Sequence, residues 1–147
     1  MTEREKDDLF YVCSLIEFVA RQTNNRRKTI VNALGEEGIM KQLYDAQVNH
    51  CLTFEQVSAE IIDCYKIPDG NFDTISDCKY RIPSFTAIGK LYSHMILDCC
   101  EEGKEVGELL KIFNSFISDE ISDFRTGVYF ENPSYLECSY REGCLLE

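Results

Sequence analysis

The chain has 147 residues, enough for one domain with a core of its own, and its 44% hydrophobic and 28% charged residues match a soluble globular protein. Fifteen Lys and Arg face 26 Asp and Glu, a net charge of −11, and because the first 28 residues carry six bases and five acids, the remaining 119 hold −12. Such a surface repels nucleic-acid phosphates and anionic membranes at long range, which makes both improbable partners and favours basic proteins.

The first element predicted is a helix from about Glu3 to Gln22. Glu3, Asp7, Ser14, Glu17 and Arg21 fall on one polar stripe, and Glu17 and Arg21 stand at i, i+4, where they can pair. The rest of the circumference is apolar, as expected of a central helix. Its apolar run is interrupted by Ser14 and Glu17, and the residues before it, "MTEREKDD", lack a basic n-region. It reads as neither signal peptide nor membrane span, and a cytoplasmic location is expected.

"TNNRRKTIVNALG" follows, with Asn24 and Asn25 as break and cap and Gly35 as a terminating glycine, giving a short helix from about Arg26 to Leu34. A third helix, from about Glu37 to Val48, aligns Ile39, Met40, Leu43 and Tyr44 on one face, read as its core side. Thr53 with Gln56 three residues on is a capping box that opens a fourth helix. Between Pro68 and Pro83 the helical pattern breaks, and residues 67–83 read as an irregular loop with at most a small hairpin. Ser84 caps the next helix, which ends at Gly103 and carries Phe85, Ile88, Tyr92, Met95 and Cys99 as its apolar stripe, with Cys100 at the flank. One long helix is predicted from about Lys104 to Arg125, and a last short one opens at Asn132–Pro133 and ends at Gly143. The expected fold is a single all-α domain over residues 1–147, a bundle of six or seven helices.

The eight cysteines, at positions 13, 51, 64, 78, 99, 100, 138 and 144, show no C-x-x-C pair. In a reducing compartment they read as dispersed, mostly buried thiols, with neither a zinc framework nor disulfides. His50 and His94 read as structural, the "NHC" adjacency of His50 and Cys51 being no dyad by itself. "DGNFD" places Asp69, Asn71 and Asp73 like the first ligands of a calcium loop, but Thr74 replaces the turn glycine and Tyr80 the bidentate glutamate. No nucleophile elbow, phosphate-binding loop or dinucleotide fingerprint occurs, so no cofactor is called for.

Three constellations carry what functional signal there is. "SFISDEISDF" lines Ser115, Ser118, Asp119, Ser122 and Asp123 on one face with Glu120 at its border. Asp119, Glu120 and Asp123 are the catalytic candidates of a metal-assisted hydrolase or transferase, against the plainer reading of a solvated face. Arg26, Arg27 and Lys28 form the basic cluster, an anion-binding candidate at a helix start, where lone cations oppose the dipole. The helices after it faintly resemble a helix-turn-helix, but "EEGIMKQLYDAQVNH" holds one lysine and three acids, a poor recognition helix, so a small DNA-binding regulator ranks below the other readings. Tyr129, Phe130, Tyr135, Leu136 and Tyr140 make the tail either a piece of the core or a surface for a partner or a second copy.

"SLIEFVARQTNNRRKTIVNALGEEGI", "LYDAQVNHCLTFEQVS" and "FISDEISDF…NPSYLECSY" resemble a small family of helical proteins from anaerobic Gram-positive bacteria, encoded near ADP-ribosyltransferase-like toxins. The resemblance runs along most of the chain and implies a regulator or antitoxin role. It brings no activity or functional residue to transfer. The residues and the resemblance together lead us to expect a non-enzymatic, acidic, cytoplasmic protein-binding regulator.

Overall fold

Thr2 opens the first helix, α1 (Glu3–Thr23), through a capping box with Glu5, and Asn24 closes it in the left-handed region at φ 55°. The computed structural model describes residues 1–76 and 78–146, leaving Asp77 and Glu147 aside. Leu9, Val12, Leu15, Ile16, Val19 and Ala20 are all buried, so α1 is enclosed on nearly every side. Its most extensive neighbour is α4 (Phe85–Cys99), capped by Ser84 as predicted, followed by α2 (Arg27–Asn49) and α3 (Phe54–Tyr65). A Cβ on Gly89 of α4 would stand 2.0 Å from Ser14 Oγ and 2.7 Å from Ser14 N, so the two backbones meet where glycine faces serine. The Ser14 hydroxyl is satisfied within its own helix, donating to Phe10 O.

The two short helices expected between Arg26 and Val48 form one kinked element. Gly35, at φ 70° and ψ −179°, interrupts α2 without separating its halves. Asn25 does not cap this helix. Arg26 holds the cap position with no side-chain bond, and the Asn25 amide instead donates to Thr23 Oγ1 and to Pro68 O, which ties the α1–α2 turn to the loop after α3. The predicted capping box of α3 is present, with Gln56 N donating to Thr53 Oγ1 at 3.1 Å.

No strand occurs among the described residues of the 67–83 segment. The loop is held by Gly70 N and Phe72 N donating to Thr23 O and Asn24 O, and by Thr74 Oγ1 donating to Ser122 O at 2.6 Å. Asp73 accepts from Ile75 N and Ser76 N, so this carboxylate caps its own turn.

The single helix expected over Lys104–Arg125 is two: α5 (Glu105–Asn114) and α6 (Phe116–Ser122). Ser115 between them is extended, at φ −78° and ψ 167°. Asn114 Nδ2 donates to Leu110 O and Ser115 Oγ to Ile112 O, side chains that take up the last carbonyls of α5 in place of continuing helix. A 3-10 turn over Val128–Phe130 leads to α7 (Pro133–Glu142), whose Asn132 cap, Pro133 start and Gly143 end match the prediction. The seven α-helices of the described residues form the all-α bundle the sequence implied.

Candidate functional site

The polar stripe of α1 faces water at Glu3 and Asp7 but turns inward at Ser14 and Glu17. Ser14 and Glu17 are 0% and 1% exposed, and Glu17 holds an internal charge cluster. Its carboxylate accepts from Arg27 Nε at 2.8 Å, from Arg27 Nη2 at 2.5 Å and from Arg21 Nε at 2.7 Å. Arg27, also buried, and Arg21 both lie over the Phe124 ring, and Arg21 Nη2 donates onward to Pro83 O. Burial pushes the Glu17 carboxyl up, but the Arg27 and Arg21 guanidiniums overcome this and leave it below the ordinary carboxylate range. The Tyr92 ring closes the cluster, stacked on Phe113 at 4.1 Å, and burial drives its hydroxyl pKa well up.

Two of the basic candidates, Arg26 and Lys28, pair with one of the acidic ones, Asp119. Arg26 Nη1 is 3.2 Å and Lys28 Nζ 3.5 Å from the Asp119 carboxylate, while Arg26 lies over the Phe72 ring. Arg27, the third member of the basic cluster, points inward to Glu17. Asp123 accepts from Arg125 Nε at 2.9 Å, and Glu120 is half-buried. Ser118 and Ser122 are buried, so this helix face is not solvated along its length. Among the described residues, no group of three or more His, Cys, Asp or Glu side chains is placed to hold a metal ion. Asp119 and Asp123 are met by cations, which neutralises their charge, while the buried Asp119 Oδ1 has no hydrogen-bond partner among the described residues.

The cysteines depart from expectation in their burial. Only Cys13 is buried; Cys51, Cys64, Cys138 and Cys144 are exposed, and Cys78, Cys99 and Cys100 are half-buried. Cys51 follows the end of α2, Cys64 lies in the last turn of α3 and Cys144 follows Gly143, where few neighbours cover a side chain. His50 rests on the Tyr11 ring at 4.4 Å.

The tail is largely docked. Leu136 is fully buried, the Tyr140 hydroxyl donates to Glu108 at 2.9 Å and the Tyr135 hydroxyl to Leu146 O at 2.6 Å. Phe130 stays 56% exposed, with Tyr129 packed edge-on against it. Both border an open, mainly apolar groove with Leu91 and His94 of α4.

The larger uncovered surface lies elsewhere. Met40, Tyr44 and Val48, at i, i+4 and i+8 along α2, are 53%, 88% and 70% exposed. Ile39 is buried and Leu43 half-buried, so the face read from sequence as core is divided: its inner edge packs, and Met40 and Tyr44 turn outward. One shallow groove, between α1 and α2, runs beside the stripe and includes Arg4, Glu5, Asp8 and Leu43. A second, between α2 and α3, includes Lys41, Asp45, Glu60 and Asp63. The signal for this surface was present in the four-residue spacing of Met40, Tyr44 and Val48, but spacing alone does not say which side of a helix its neighbours cover.

Among the described residues no helix is long and apolar enough to cross a membrane. No protein-family model matches the chain, nor does any curated protein or solved structure.

Proposed function

We propose that the protein is a binding protein rather than an enzyme, an acidic regulator in the cytoplasm that docks a more basic protein partner on the outer face of α2. The observation that carries this reading is the line of Met40, Tyr44 and Val48, three large apolar side chains held at the surface of a well-formed helix. Single exposed apolar residues are ordinary, whereas a contiguous row rimmed by charge is the form of a protein interface. The net charge of −11 favours encounter with a cationic partner. The ion pairs of Asp119 with Arg26 and Lys28 weigh against the metal-assisted alternative, and the acidic surface against DNA. The antitoxin-like role implied by the resemblance is one form this regulation takes.

The test is a photo-cross-linking residue placed at Tyr44, with parallel placements at Phe130 and at the exposed Glu55, in extract of the source cells. A single adduct specific to position 44, identified by mass spectrometry and reproduced with the two purified proteins, is the expected result. Equal adducts at all three positions, or none at any, overturn the proposal.

A further inference from the structure

The stripe on α2 is built for a particular shape of partner. Met40 to Val48 covers about 12 Å, two helical turns. The shallow grooves on either side of it are those between neighbouring helices, the relief into which the side-chain ridges of another helix fit. No strand occurs among the described residues, so a partner segment finds no sheet edge to extend.

The rim has a sign. Glu5 and Asp8 stand along the α1 side, Glu60 and Asp63 along the α3 side, and Glu36 and Glu37 at the near end of the helix, all but the half-buried Asp8 exposed. Arg4 and Lys41 are the bases in the two grooves, and Lys41 is already engaged by Asp45 at 2.5 Å. Carboxylates therefore flank the apolar row on both sides. A second copy of this chain meets the row with the same carboxylates and the same −11 charge, which opposes self-docking. An anionic membrane surface is repelled in the same way.

Resting on the binding reading above, we infer that the α2 face receives an amphipathic helix of another protein, with apolar residues at three- and four-residue spacing along its contact edge and Lys or Arg on both flanks. The apolar row, with Tyr44 at its centre, supplies most of the affinity, and the acidic rim supplies the rate and the orientation of docking.

The probe is a synthetic peptide of about five helical turns with a leucine stripe flanked by lysines. A second peptide carries glutamate in place of lysine, and a third has the first peptide's composition with the helical period shuffled away. Binding to the full chain is followed by fluorescence anisotropy. The lysine peptide is expected to bind, to weaken with added salt, and to lose at least about tenfold in affinity against a Tyr44→Ser/Val48→Ser variant. Both positions are largely exposed, so that variant keeps the parent melting temperature. Equal binding of the shuffled peptide reduces the surface to diffuse charge and overturns the inference. Equal or tighter binding of the glutamate peptide overturns the assigned partner charge. A concentration-dependent dimer abolished by the double substitution makes a second copy the occupant and overturns it too. Failure of every peptide to bind overturns the helical partner, while a specific adduct at position 44 in the cross-linking test leaves the general binding reading intact.

Discussion

Replacing Glu17 by Gln probes the interior charge cluster with the least change of shape. The carboxylate is 1% exposed and Arg27 is 2% exposed, so the substitution leaves a guanidinium in the core without its hydrogen-bonded counter-charge, while the amide oxygen preserves one acceptor. Breaking a buried pair by removing one partner costs about 3–5 kcal/mol, and the retained acceptor places Glu17→Gln near the lower end. Against a domain stability of about 5–15 kcal/mol this is a large fraction, equivalent to a fall of roughly 10 °C in Tm for a chain of this length. Thermal and urea unfolding followed by circular dichroism give both quantities. The companion variant, Glu17→Leu with Arg27→Met, removes both charges and is expected to recover most of the loss, because the pair offsets a desolvation cost that the apolar replacements do not incur. Since the folded carboxyl titrates below the ordinary glutamate value of 4.5, its contribution is complete above that value and disappears as pH falls through the lower, folded one. A loss under about 1 kcal/mol for the single variant refutes the reasoning, since it means Arg27 finds solvent when its partner is gone.

Three further outcomes are expected. Gly89→Ala forces a methyl onto Ser14 and is expected to destabilise by about 3 kcal/mol or more, read from the urea midpoint, because the obstruction includes backbone as well as the hydroxyl. Asp119→Asn removes only partly exposed ion pairs with Arg26 and Lys28 and is expected to cost less than about 1 kcal/mol by the same measurement. Burial and the neighbouring Asp98 carboxylate raise the Glu137 carboxyl to about 7, so its contribution is present in mild acid and is lost as pH rises from 4.5 through 7. Asp98→Asn is therefore expected to raise Tm at pH 8 relative to the parent and to flatten the decline between pH 5 and pH 8.

Helices α3, α4 and α7 were legible because each carries local chemistry at its start. Thr53 with Gln56, Ser84, and Asn132 with Pro133 act through neighbours a few residues away, and that information is entirely in the sequence. The division of the Lys104–Arg125 stretch was missed because the apolar period runs through Ser115 unbroken, and only the hydrogen bonds of Asn114 and Ser115 reveal the interruption. The candidate site was harder to read for a different reason. Glu17 was read on a polar stripe and Arg27 in an anion-binding cluster, while Met40 and Tyr44 were read on an apolar face. In each case tertiary packing reversed the expectation, since a paired charge tolerates burial and an apolar side chain at the rim of a bundle has no neighbour to cover it.

The enclosure of α1 has a consequence for the chain during its synthesis. Its main packing surface, α4, is encoded far downstream, and translation at about 5–20 residues per second separates the end of one helix from the end of the other by about 4–15 s. Through that interval the nascent chain carries a helix apolar on nearly every side, with α2 and α3 covering only part of it. A ribosome-bound chaperone is thus offered its natural substrate before α4 is made, and the yield of native protein depends on how well α1 is shielded until α4 emerges.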